Sequence, residues 1–326
     1  MPEIPTLVDV LDARRAIRAY LSPSPFERND PLSERLGADV WIKYENVLPI
    51  RAFKVRGGIN LVSRLSPAER ARGLITASTG NHGQSIAYAG RLFGTRVIIG
   101  VPEGNNPLKV AAMRQLGAEV VETGSDFDAA RAWVEQTAVE RGMRYVHAAN
   151  EPLLIAGVAT ATLEMLEVVP DLDVIITPIG GGSAASGHCL AGKAINPRLQ
   201  VIGVQAAGAP SVWRAFHEGR TDPIDRADTF AEGLATRYAF PLPLSILRER
   251  LDDLILVTDA ELREAMIVLL RAARTLAEAA GAASTAGALK LQDRLRGKKV
   301  GLVISGGNVT VETLRDVLNL VSTEEK

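Results

Sequence analysis

The sequence has few of the residues that mark several classes of protein. Its 326 residues include one cysteine, Cys189, so no internal disulfide bond can form. The formal net charge at pH 7 is −1, which provides neither the basic field of a nucleic-acid-binding protein nor a polybasic membrane patch. No apolar N-terminal segment is present either. We therefore expect a cytoplasmic protein that binds neither nucleic acid nor membrane.

Hydrophobic runs of membrane-spanning length are also lacking. The long uncharged stretch Val174–Gly192 contains Pro178 and three consecutive glycines, and polar residues interrupt it. This pattern predicts a strand, a turn and the start of a helix instead of a membrane span. Hydrophobic residues make up 47% and charged residues 23% of the chain, which is the composition of a globular protein with a large core.

Short β-rich runs alternate with helical patterns along the chain. The predicted strands are Leu74–Ala77, Arg96–Val101, Ala118–Glu122, Val174–Pro178, Gln200–Val204, Leu254–Val257 and Val300–Ile304. The predicted helices are Ser85–Phe93, Pro107–Leu116, Phe127–Arg141, Pro152–Glu167 and Asp259–Arg271. The alternation predicts an α/β fold built around parallel sheets. We expect a small domain at residues 48–148 and a large one formed by residues 1–47 and 149–326.

Two glycine-rich turns each join a predicted strand to a helical pattern. The first, Ser78–Gly83, offers free N–H groups at a helix N-terminus and could bind an anion, but the segment alone equally fits an ordinary loop. The second, Gly180–Ser183, predicts a phosphate site. Its spacing also fits a dinucleotide fingerprint, which requires an acidic residue about 20 positions further on. Gln205 stands there, so a phosphate without a dinucleotide is the better interpretation.

A third turn and one lysine complete the pattern. Ser305 ends the strand Val300–Ile304 with a neutral hydroxyl, and taken alone it favours a helix cap over a ligand. Lys54 lies beside Phe53, which could provide an apolar wall, and shortly before a Gly-Gly pair. The other lysines are in ordinary strand or helix positions, in front of a strand, or terminal: Lys43, Lys109, Lys193, Lys290, Lys298, Lys299 and Lys326. An amine, a phosphate cradle and polar groups for a small ring together suit pyridoxal phosphate.

Four segments in this order resemble a known family. They read RAFKVRGGIN, STGNHGQSIA, PIGGGSAASG and SGGN, and they are similar to the signature segments of fold-type II pyridoxal-phosphate enzymes of the serine/threonine dehydratase and serine racemase group. The resemblance implies two open, mostly parallel twisted-sheet domains of the tryptophan synthase β type. It also implies pyridoxal 5'-phosphate as cofactor, an amino acid as substrate, and a homodimer or homotetramer.

The resemblance also implies a role for each matching residue. Lys54 would form the Schiff base with the cofactor and then transfer the proton at Cα. Phe53 would lie against the cofactor ring, Asn81 would bond the ring hydroxyl and Ser305 would bond the ring nitrogen. The phosphate would be held by the backbone N–H groups of Gly180, Gly181, Gly182 and Ser183. The substrate carboxylate would be received by the loop of Ser78, Thr79, Gly80, Asn81 and His82.

The chain departs from the family pattern at three places. Ala52 replaces the serine that usually precedes the Phe-Lys pair, and Ser183 replaces the fourth glycine of the phosphate turn. Racemase-like members carry acidic metal ligands after the strand that follows this turn, whereas Val204–Ser211 contains no carboxylate. Because hard divalent cations prefer charged oxygen ligands, we expect no metal there.

These residues favour one reaction over its competitors. A neutral Ser305 hydroxyl would leave the ring nitrogen largely unprotonated, and a weaker electron sink suits prompt loss of a β-substituent. We therefore expect β-elimination from a β-hydroxy amino acid such as L-threonine or L-serine, giving a 2-oxo acid and ammonia. The alternatives are an amino-acid racemase, a 3-hydroxyaspartate dehydratase and, from another class, a non-catalytic protein that binds the cofactor or an amino acid.

Thr79 separates the first two activities. The resemblance places it where racemases use a serine hydroxyl as the acid–base group on the opposite face of Cα. Its β-methyl restricts χ1, so the hydroxyl could instead cap the loop, and we favour that interpretation. His82 is the one titratable neighbour in sequence that could help an alcohol to ionise.

Overall fold

The computed structural model describes residues 3–324 and divides them into two compact units. The large unit consists of the described residues of Pro23–Phe53 and Ala159–Lys326, and the small unit of those in Pro2–Ser22 and Lys54–Val158. Among the described residues the chain passes between the units at three peptide bonds, after Ser22, after Phe53 and after Val158. The domain boundaries expected from the sequence remain a prediction.

Ten strands form within residues 3–324. They are β1 (Phe26–Arg28), β2 (Asp39–Tyr44), β3 (Leu74–Ala77), β4 (Val97–Val101), β5 (Glu119–Glu122), β6 (Arg144–Tyr145), β7 (Val174–Pro178), β8 (Gln200–Ala206), β9 (Asp253–Val257) and β10 (Lys299–Ile304).

The α-helices of the same residues alternate with these strands. They are α1 (Leu7–Ile17), α2 (Asp30–Leu36), α3 (Val55–Ser63), α4 (Pro67–Arg72), α5 (Asn81–Phe93), α6 (Pro107–Gln115), α7 (Phe127–Glu140), α8 (Pro152–Val168), α9 (Ser183–Ile195), α10 (Ser211–His217), α11 (Pro241–Arg250), α12 (Asp259–Ala272), α13 (Ala279–Lys290), α14 (Gln292–Leu295) and α15 (Val311–Glu324). Short 3₁₀ turns occur at Glu45–Val47 and Glu232–Leu234.

The large unit is built on a six-stranded sheet in the order β1-β2-β10-β7-β8-β9. Only β1 in this sheet runs antiparallel to its neighbour. Every residue of β7 is buried, as expected for a parallel strand that is covered on both faces. Because β7 and β10 are parallel neighbours, they end at the same edge of the sheet. Each of them is followed by one of the turns described in the sequence analysis.

The small unit has its own parallel sheet, in the order β5-β4-β3-β6. The central strands β3 and β4 are buried throughout, whereas β5 and β6 are only partly covered. The loop Ser78–His82 follows β3 directly and leads into α5, so it lies at the carboxyl end of a central strand.

The structure confirms the α/β prediction and each predicted element. The seven predicted strands differ from the observed ones by at most two residues at either end. Helix α5 begins at Asn81, four residues before the predicted start, because Gly80 already acts as its N-cap. The stretch Val174–Gly192 forms β7, a turn and most of α9 as predicted. None of the helices in the described chain is long and apolar enough to cross a membrane.

Candidate active site

The turn between β7 and α9 has a backbone that only glycine allows. Gly182 adopts φ +91°, in the left-handed region that favours glycine. A Cβ atom on Gly180 would lie 2.1 Å from the carbonyl oxygen of Gly233, so any side chain there would clash. Among the described residues, no hydrogen bond uses the backbone N–H groups of Gly180, Gly181, Gly182 or Ser183. The turn therefore presents a row of unused donors at the N-terminus of a 13-residue helix, which suits a phosphate.

Ser305 lies at the end of β10, where the chain pairs with the residues that precede Lys54. The N–H of Phe53 donates to the carbonyl oxygen of Ser305 at 3.0 Å, and the N–H of Gly307 donates to the carbonyl oxygen of Arg51 at 2.9 Å. Ala52 and Gly306 form an antiparallel bridge between these hydrogen bonds. The segment that leads to Lys54 is thus fixed against the end of β10.

The helix-cap interpretation of Ser305 is wrong. Helix α15 begins at Val311, and its first turn is capped by the Thr310 hydroxyl, which accepts from the N–H of Thr313 at 3.1 Å. Ser305 is buried, and its hydroxyl has one long hydrogen bond, 3.5 Å to the carbonyl oxygen of Ala280. A hydroxyl held this weakly is available to a ligand.

Lys54 is the residue immediately before α3 and is half-buried. Its carbonyl oxygen accepts from the Ser85 hydroxyl at 2.6 Å. The Gly57–Gly58 pair that follows is part of the helix and is not a flexible hinge. A Cβ on Gly58 would lie 2.4 Å from the Ser85 hydroxyl, and one on Gly57 would lie 3.0 Å from the carbonyl oxygen of Leu154. The glycines therefore allow close packing that fixes the backbone beside Lys54.

Ser78, not Thr79, caps the loop that leads into α5. The Ser78 hydroxyl accepts from the N–H groups of Gly80 at 3.2 Å and of Gly83 at 2.8 Å. In the described part of the chain the Thr79 hydroxyl forms no hydrogen bond. The loop-cap interpretation of Thr79 is therefore wrong. Thr79, Gly80 and Asn81 are half-buried, so this part of the loop is open to a ligand.

His82 is buried behind this loop as a neutral imidazole. The Thr76 hydroxyl donates to the carbonyl oxygen of Val146 at 2.7 Å, so it accepts from Nε2 of His82, 2.8 Å away. Burial, and then the positive charge of Lys54, lower the pKa of His82 to about 3. A histidine with so low a pKa is a weak base, so it is unsuited to ionise the Thr79 hydroxyl.

A second histidine near Lys54 was missed by the sequence analysis. Nδ1 of His147 accepts from the N–H groups of Ala149 at 3.0 Å and Asn150 at 2.9 Å. Burial, then the charges of Arg131 and Lys54, lower the pKa of His147 to about 4. His147 follows β6, whose two residues are too few to give a recognisable strand pattern.

Lys43 is not in an ordinary strand environment, contrary to the sequence analysis. Its side chain is fully buried in β2, with Nζ 2.5 Å from Oε2 of Glu164 and 2.7 Å from the carbonyl oxygen of Ser24. The ammonium group is therefore paired inside the large unit, which makes it a poor nucleophile. Lys54 remains the candidate for covalent chemistry.

Gln205 occupies a structural position at the end of β8. Its side chain is fully buried, and Oε1 accepts from the N–H of Trp213 at 2.9 Å in the first turn of α10. The hydroxyl of Ser211 donates to the carbonyl oxygen of Thr236 at 2.8 Å. Across residues 3–324 there is no group of three His, Cys, Asp or Glu side chains that could hold a metal ion.

Comparison with known proteins assigns the family. Residues 17–306 match the family described as pyridoxal-phosphate dependent enzyme. The chain belongs to this family. The cofactor is pyridoxal 5'-phosphate, and it fits the residues described above: unused N–H donors and a glycine-only turn for the phosphate, a weakly bonded hydroxyl at Ser305 and a lysine on a fixed backbone. The fold-type II assignment made from the sequence is confirmed.

Two curated relatives cover almost the whole chain. It is 35% identical over 314 residues to the L-threonine ammonia-lyase of Thermotoga maritima, covering 96% of this chain and 78% of the relative. It is also 35% identical over 309 residues to the L-threo-3-hydroxyaspartate ammonia-lyase of Saccharomyces cerevisiae, covering 95% of each.

Two solved structures share the fold. The processed form of threonine deaminase isoform 2 from Solanum lycopersicum has a TM-score of 0.92 and 31% identity, over 96% of this chain and 92% of its own. The serine racemase of Dictyostelium discoideum has a TM-score of 0.88 and 33% identity, over 94% of this chain and 99% of its own. A structure named as a threonine deaminase and one named as a serine racemase are therefore similar to this chain at nearly equal sequence identity.

Proposed function

We propose that this protein is a pyridoxal-phosphate-dependent ammonia-lyase. It removes the β-hydroxyl and the amino group from an amino acid such as L-threonine or L-serine and produces a 2-oxo acid and ammonia. The observation that carries the proposal is the neutral Ser305 hydroxyl at the end of β10, with no strong partner of its own. Relatives named as ammonia-lyases over nearly the full chain support it.

Lys54 is the central residue of this proposal. When bound, pyridoxal phosphate supplies an aldehyde and an electron-withdrawing ring that acidify the Cα–H bond of the amino acid. Lys54 would bind the cofactor through its amine. Once the amino group of the substrate has displaced it, the freed amine would take the Cα proton. The fixed backbone on both sides of Lys54, held by Ser305 and by Ser85, limits where its side chain can reach.

The other residues bind and orient. The N–H groups of Gly180–Ser183 would bind the phosphate, Phe53 would line the ring and Asn81 would bond the ring hydroxyl. Ser305 bonds the ring nitrogen without giving it a full proton, because a serine hydroxyl is a far weaker acid than a carboxylic acid. The loop Ser78–His82 receives the substrate carboxylate. Buried and neutral, His82 supports this loop and takes no proton in the reaction.

Racemisation is the second candidate function, and one observation favours it. The Thr79 hydroxyl has no hydrogen bond within the described residues, so it is available to transfer a proton. Against it, the low pKa of His82 removes the nearest candidate for a base that would activate this hydroxyl. We therefore propose that elimination is faster than racemisation. A hydroxy dicarboxylic substrate, as named for the yeast relative, remains within the same reaction class.

We also propose that no divalent cation is required through the loop after β8. Gln205 and Ser211 already bond to backbone groups there, and neither can supply a charged oxygen. Activity is then expected to be equal with and without a chelator. A strong loss of activity that either Mg²⁺ or Ca²⁺ restores would contradict this proposal.

A single buried cysteine suits an intracellular location. We also propose that the protein is a homodimer or homotetramer.

The direct test is a substrate panel. Purified protein loaded with pyridoxal phosphate is incubated with L-serine, L-threonine, threo-3-hydroxyaspartate and a bulkier β-hydroxy amino acid. We expect a 2-oxo acid and ammonia in equal amounts from at least one of them. If the cofactor binds and no member of the panel releases ammonia, the ammonia-lyase proposal is wrong, and the enantiomer ratio of each substrate then separates racemisation from the non-catalytic alternative.

A further inference from the structure

The hydroxyl of Ser85 reaches from α5 to the backbone of Lys54. It donates to the carbonyl oxygen of Lys54 at 2.6 Å, and the serine is buried. A serine inside a helix usually turns to solvent or to the carbonyl group four residues before it, and alanine is a better helix former at such a position. This serine instead forms a hydrogen bond to the start of a second helix, and its acceptor belongs to the residue proposed to bind the cofactor.

The carbonyl oxygen of Lys54 has two donors, one for each of its lone pairs. The N–H of Gly58 donates to it at 3.2 Å, as the first hydrogen bond of α3, and the Ser85 hydroxyl is the second donor. Lys54 itself has helical backbone angles, with φ −60° and ψ −23°. Donors from two different helices therefore fix this peptide plane and, with it, the direction in which the side chain of Lys54 leaves the backbone.

Gly58 leaves the space that the Ser85 hydroxyl occupies. A Cβ atom on Gly58 would lie 2.4 Å from that hydroxyl and 2.6 Å from the carbonyl oxygen of Ser85. Even a methyl group would therefore displace the hydroxyl and push α3 away from α5. Glycine inside a helix is less favourable than alanine. Both residues are thus poor helix formers at their positions, and together they allow a contact that alanine at either position would remove.

This contact joins Lys54 to the helix that begins at Asn81. Ser85 follows Asn81 by four residues, so the two side chains lie on the same face of α5, one turn apart. Lys54, Asn81 and Ser85 all belong to the small unit. On the cofactor, the aldehyde carbon that Lys54 would bind and the hydroxyl that Asn81 would bond are attached to adjacent ring atoms. The lysine and the asparagine must therefore keep a fixed separation.

We propose that Ser85 is a positioning residue that fixes Lys54 relative to Asn81, so that the amine reaches the aldehyde while the amide bonds the neighbouring hydroxyl. This rests on the proposed function, in which Lys54 and Asn81 bind the cofactor, and Ser85 acts only through Lys54. Without the Ser85 hydroxyl, the carbonyl oxygen of Lys54 keeps the hydrogen bond from Gly58, so the protein folds. The side chain of Lys54 then starts from a less restricted backbone.

The competing explanation is that Ser85 only packs α5 against α3. Ser85→Ala removes the hydroxyl and keeps Cβ, and Gly58→Ala displaces the same hydroxyl without removing it. Ser63→Ala is the matched control. The Ser63 hydroxyl also donates to a backbone carbonyl oxygen, that of Asn60 at 2.9 Å, and Ser63 is the last residue of α3, at the opposite end of the helix from Lys54.

The test compares the binding of pyridoxal phosphate and of deoxypyridoxine phosphate to the cofactor-free protein. Both ligands have the ring, the hydroxyl and the phosphate, and only pyridoxal phosphate has an aldehyde that a lysine can bind. We expect Ser85→Ala to raise the dissociation constant of pyridoxal phosphate by roughly 3- to 10-fold, the range for one lost hydrogen bond, and to leave that of deoxypyridoxine phosphate within about twofold. Gly58→Ala should likewise weaken pyridoxal phosphate more than its analogue, and Ser63→Ala should change neither.

The kinetic constants provide a second readout at saturating cofactor. Ser85→Ala should lower kcat for the best substrate of the panel by roughly 10-fold, because the misplaced amine is the one that takes the Cα proton. KM should stay within about twofold, because the loop proposed to receive the substrate is held by Ser78 and not by Ser85.

Two outcomes would overturn the inference. Equal weakening of both ligands by Ser85→Ala would show a packing role, and unchanged binding of both would show that the hydroxyl does not restrict Lys54. Failure of the proposed function is recognised separately in the parent protein. It would either bind the two ligands equally, because no Schiff base forms at Lys54, or bind pyridoxal phosphate more tightly and still release no ammonia from any substrate.

Discussion

The backbone N–H of Phe53 donates a hydrogen bond to the carbonyl oxygen of Ser305. It links the residue before the lysine proposed to bind the cofactor to the residue proposed to contact the ring nitrogen, across about 250 positions of the chain. Formation of β10 therefore fixes the chain that leads to Lys54. The lysine needs no unusual sequence neighbours beyond Phe53 and the glycines, because long-range pairing sets its backbone.

Reductive trapping should identify Lys54 as the attachment point of the cofactor. We expect the purified protein to be yellow, and borohydride to fix the cofactor to the peptide that contains Lys54. Lys54→Ala should reduce turnover by at least roughly 10²- to 10⁴-fold, the usual contribution of an acid–base group alone. Labelled peptides are mapped by mass spectrometry. Label at Lys43 or Lys109 would show that the site is assigned to the wrong lysine.

Alanine should be tolerated at position 183 of the phosphate turn and not at position 180. Gly180→Ala places a Cβ against the carbonyl oxygen of Gly233, so we expect it to destabilise the cofactor-free protein by about 1–3 kcal/mol and to weaken cofactor binding. Ser183→Ala keeps the N–H and loses only a hydroxyl, and it should bind the cofactor as the parent does. Urea unfolding and cofactor titration measure both effects. Weak cofactor binding by Ser183→Ala would mean that the hydroxyl, not the N–H, holds the phosphate.

The pair Lys43–Glu164 should behave as a buried ion pair of the large unit. Glu164→Gln removes a carboxylate partner of a buried ammonium group, and we expect a loss of up to about 3–5 kcal/mol in the free energy of unfolding. The double variant Lys43→Met/Glu164→Leu removes both charges and should recover much of this loss. Denaturant unfolding of the parent, of the single variants Lys43→Met and Glu164→Leu, and of the double variant measures the coupling. If the two single changes simply add, the residues do not act as a pair.

His147 should contribute to instability in acid. Its pKa is lowered from 6.5 to about 4 in the folded protein, so between these values the unfolded chain binds more protons than the folded one. The contribution of neutral His147 to the free energy of unfolding should therefore be fully present above pH 6.5. As pH decreases from 6.5 toward 4, this contribution should fall by up to about 1.4 kcal/mol per pH unit. His147→Asn can still accept from Ala149 and Asn150 without titrating. It should unfold with a shallower pH slope below pH 6.5, and an unchanged slope would show that another group is responsible.

The sequence predicted those parts of the fold that depend on local pattern. Buried strands such as β7 read as short apolar runs. Thr258 and Glu261 have the sequence spacing of a capping box, and they form one at the start of α12. The short strands β1 and β6 have three and two residues, too few to carry a period, and they form because neighbouring strands provide hydrogen-bond partners. The glycine turn that is proposed to bind the phosphate was predictable because its backbone requires glycine.

The incorrect predictions all concern the hydrogen-bond or ion-pair partner of a polar side chain. Ser78 and Thr79 are equally plausible caps in the sequence, and only the loop conformation selects Ser78. Ser305 resembled a cap because a helix follows, but the intervening residues pair with the segment before Lys54 instead. Lys43 is buried because a carboxylate from α8 reaches it, and no local feature of the sequence encodes that partner.

The ratio of elimination to racemisation on L-serine tests the account most directly. L-Serine is incubated with the cofactor-loaded protein in D₂O, and pyruvate, Cα deuteration and the ratio of enantiomers are followed together, for the parent and for Thr79→Ala. We predict that pyruvate forms faster than D-serine, and that Thr79→Ala leaves pyruvate formation largely intact. Interconversion of the enantiomers that outruns pyruvate formation, and that Thr79→Ala abolishes, would contradict the assignment as an ammonia-lyase.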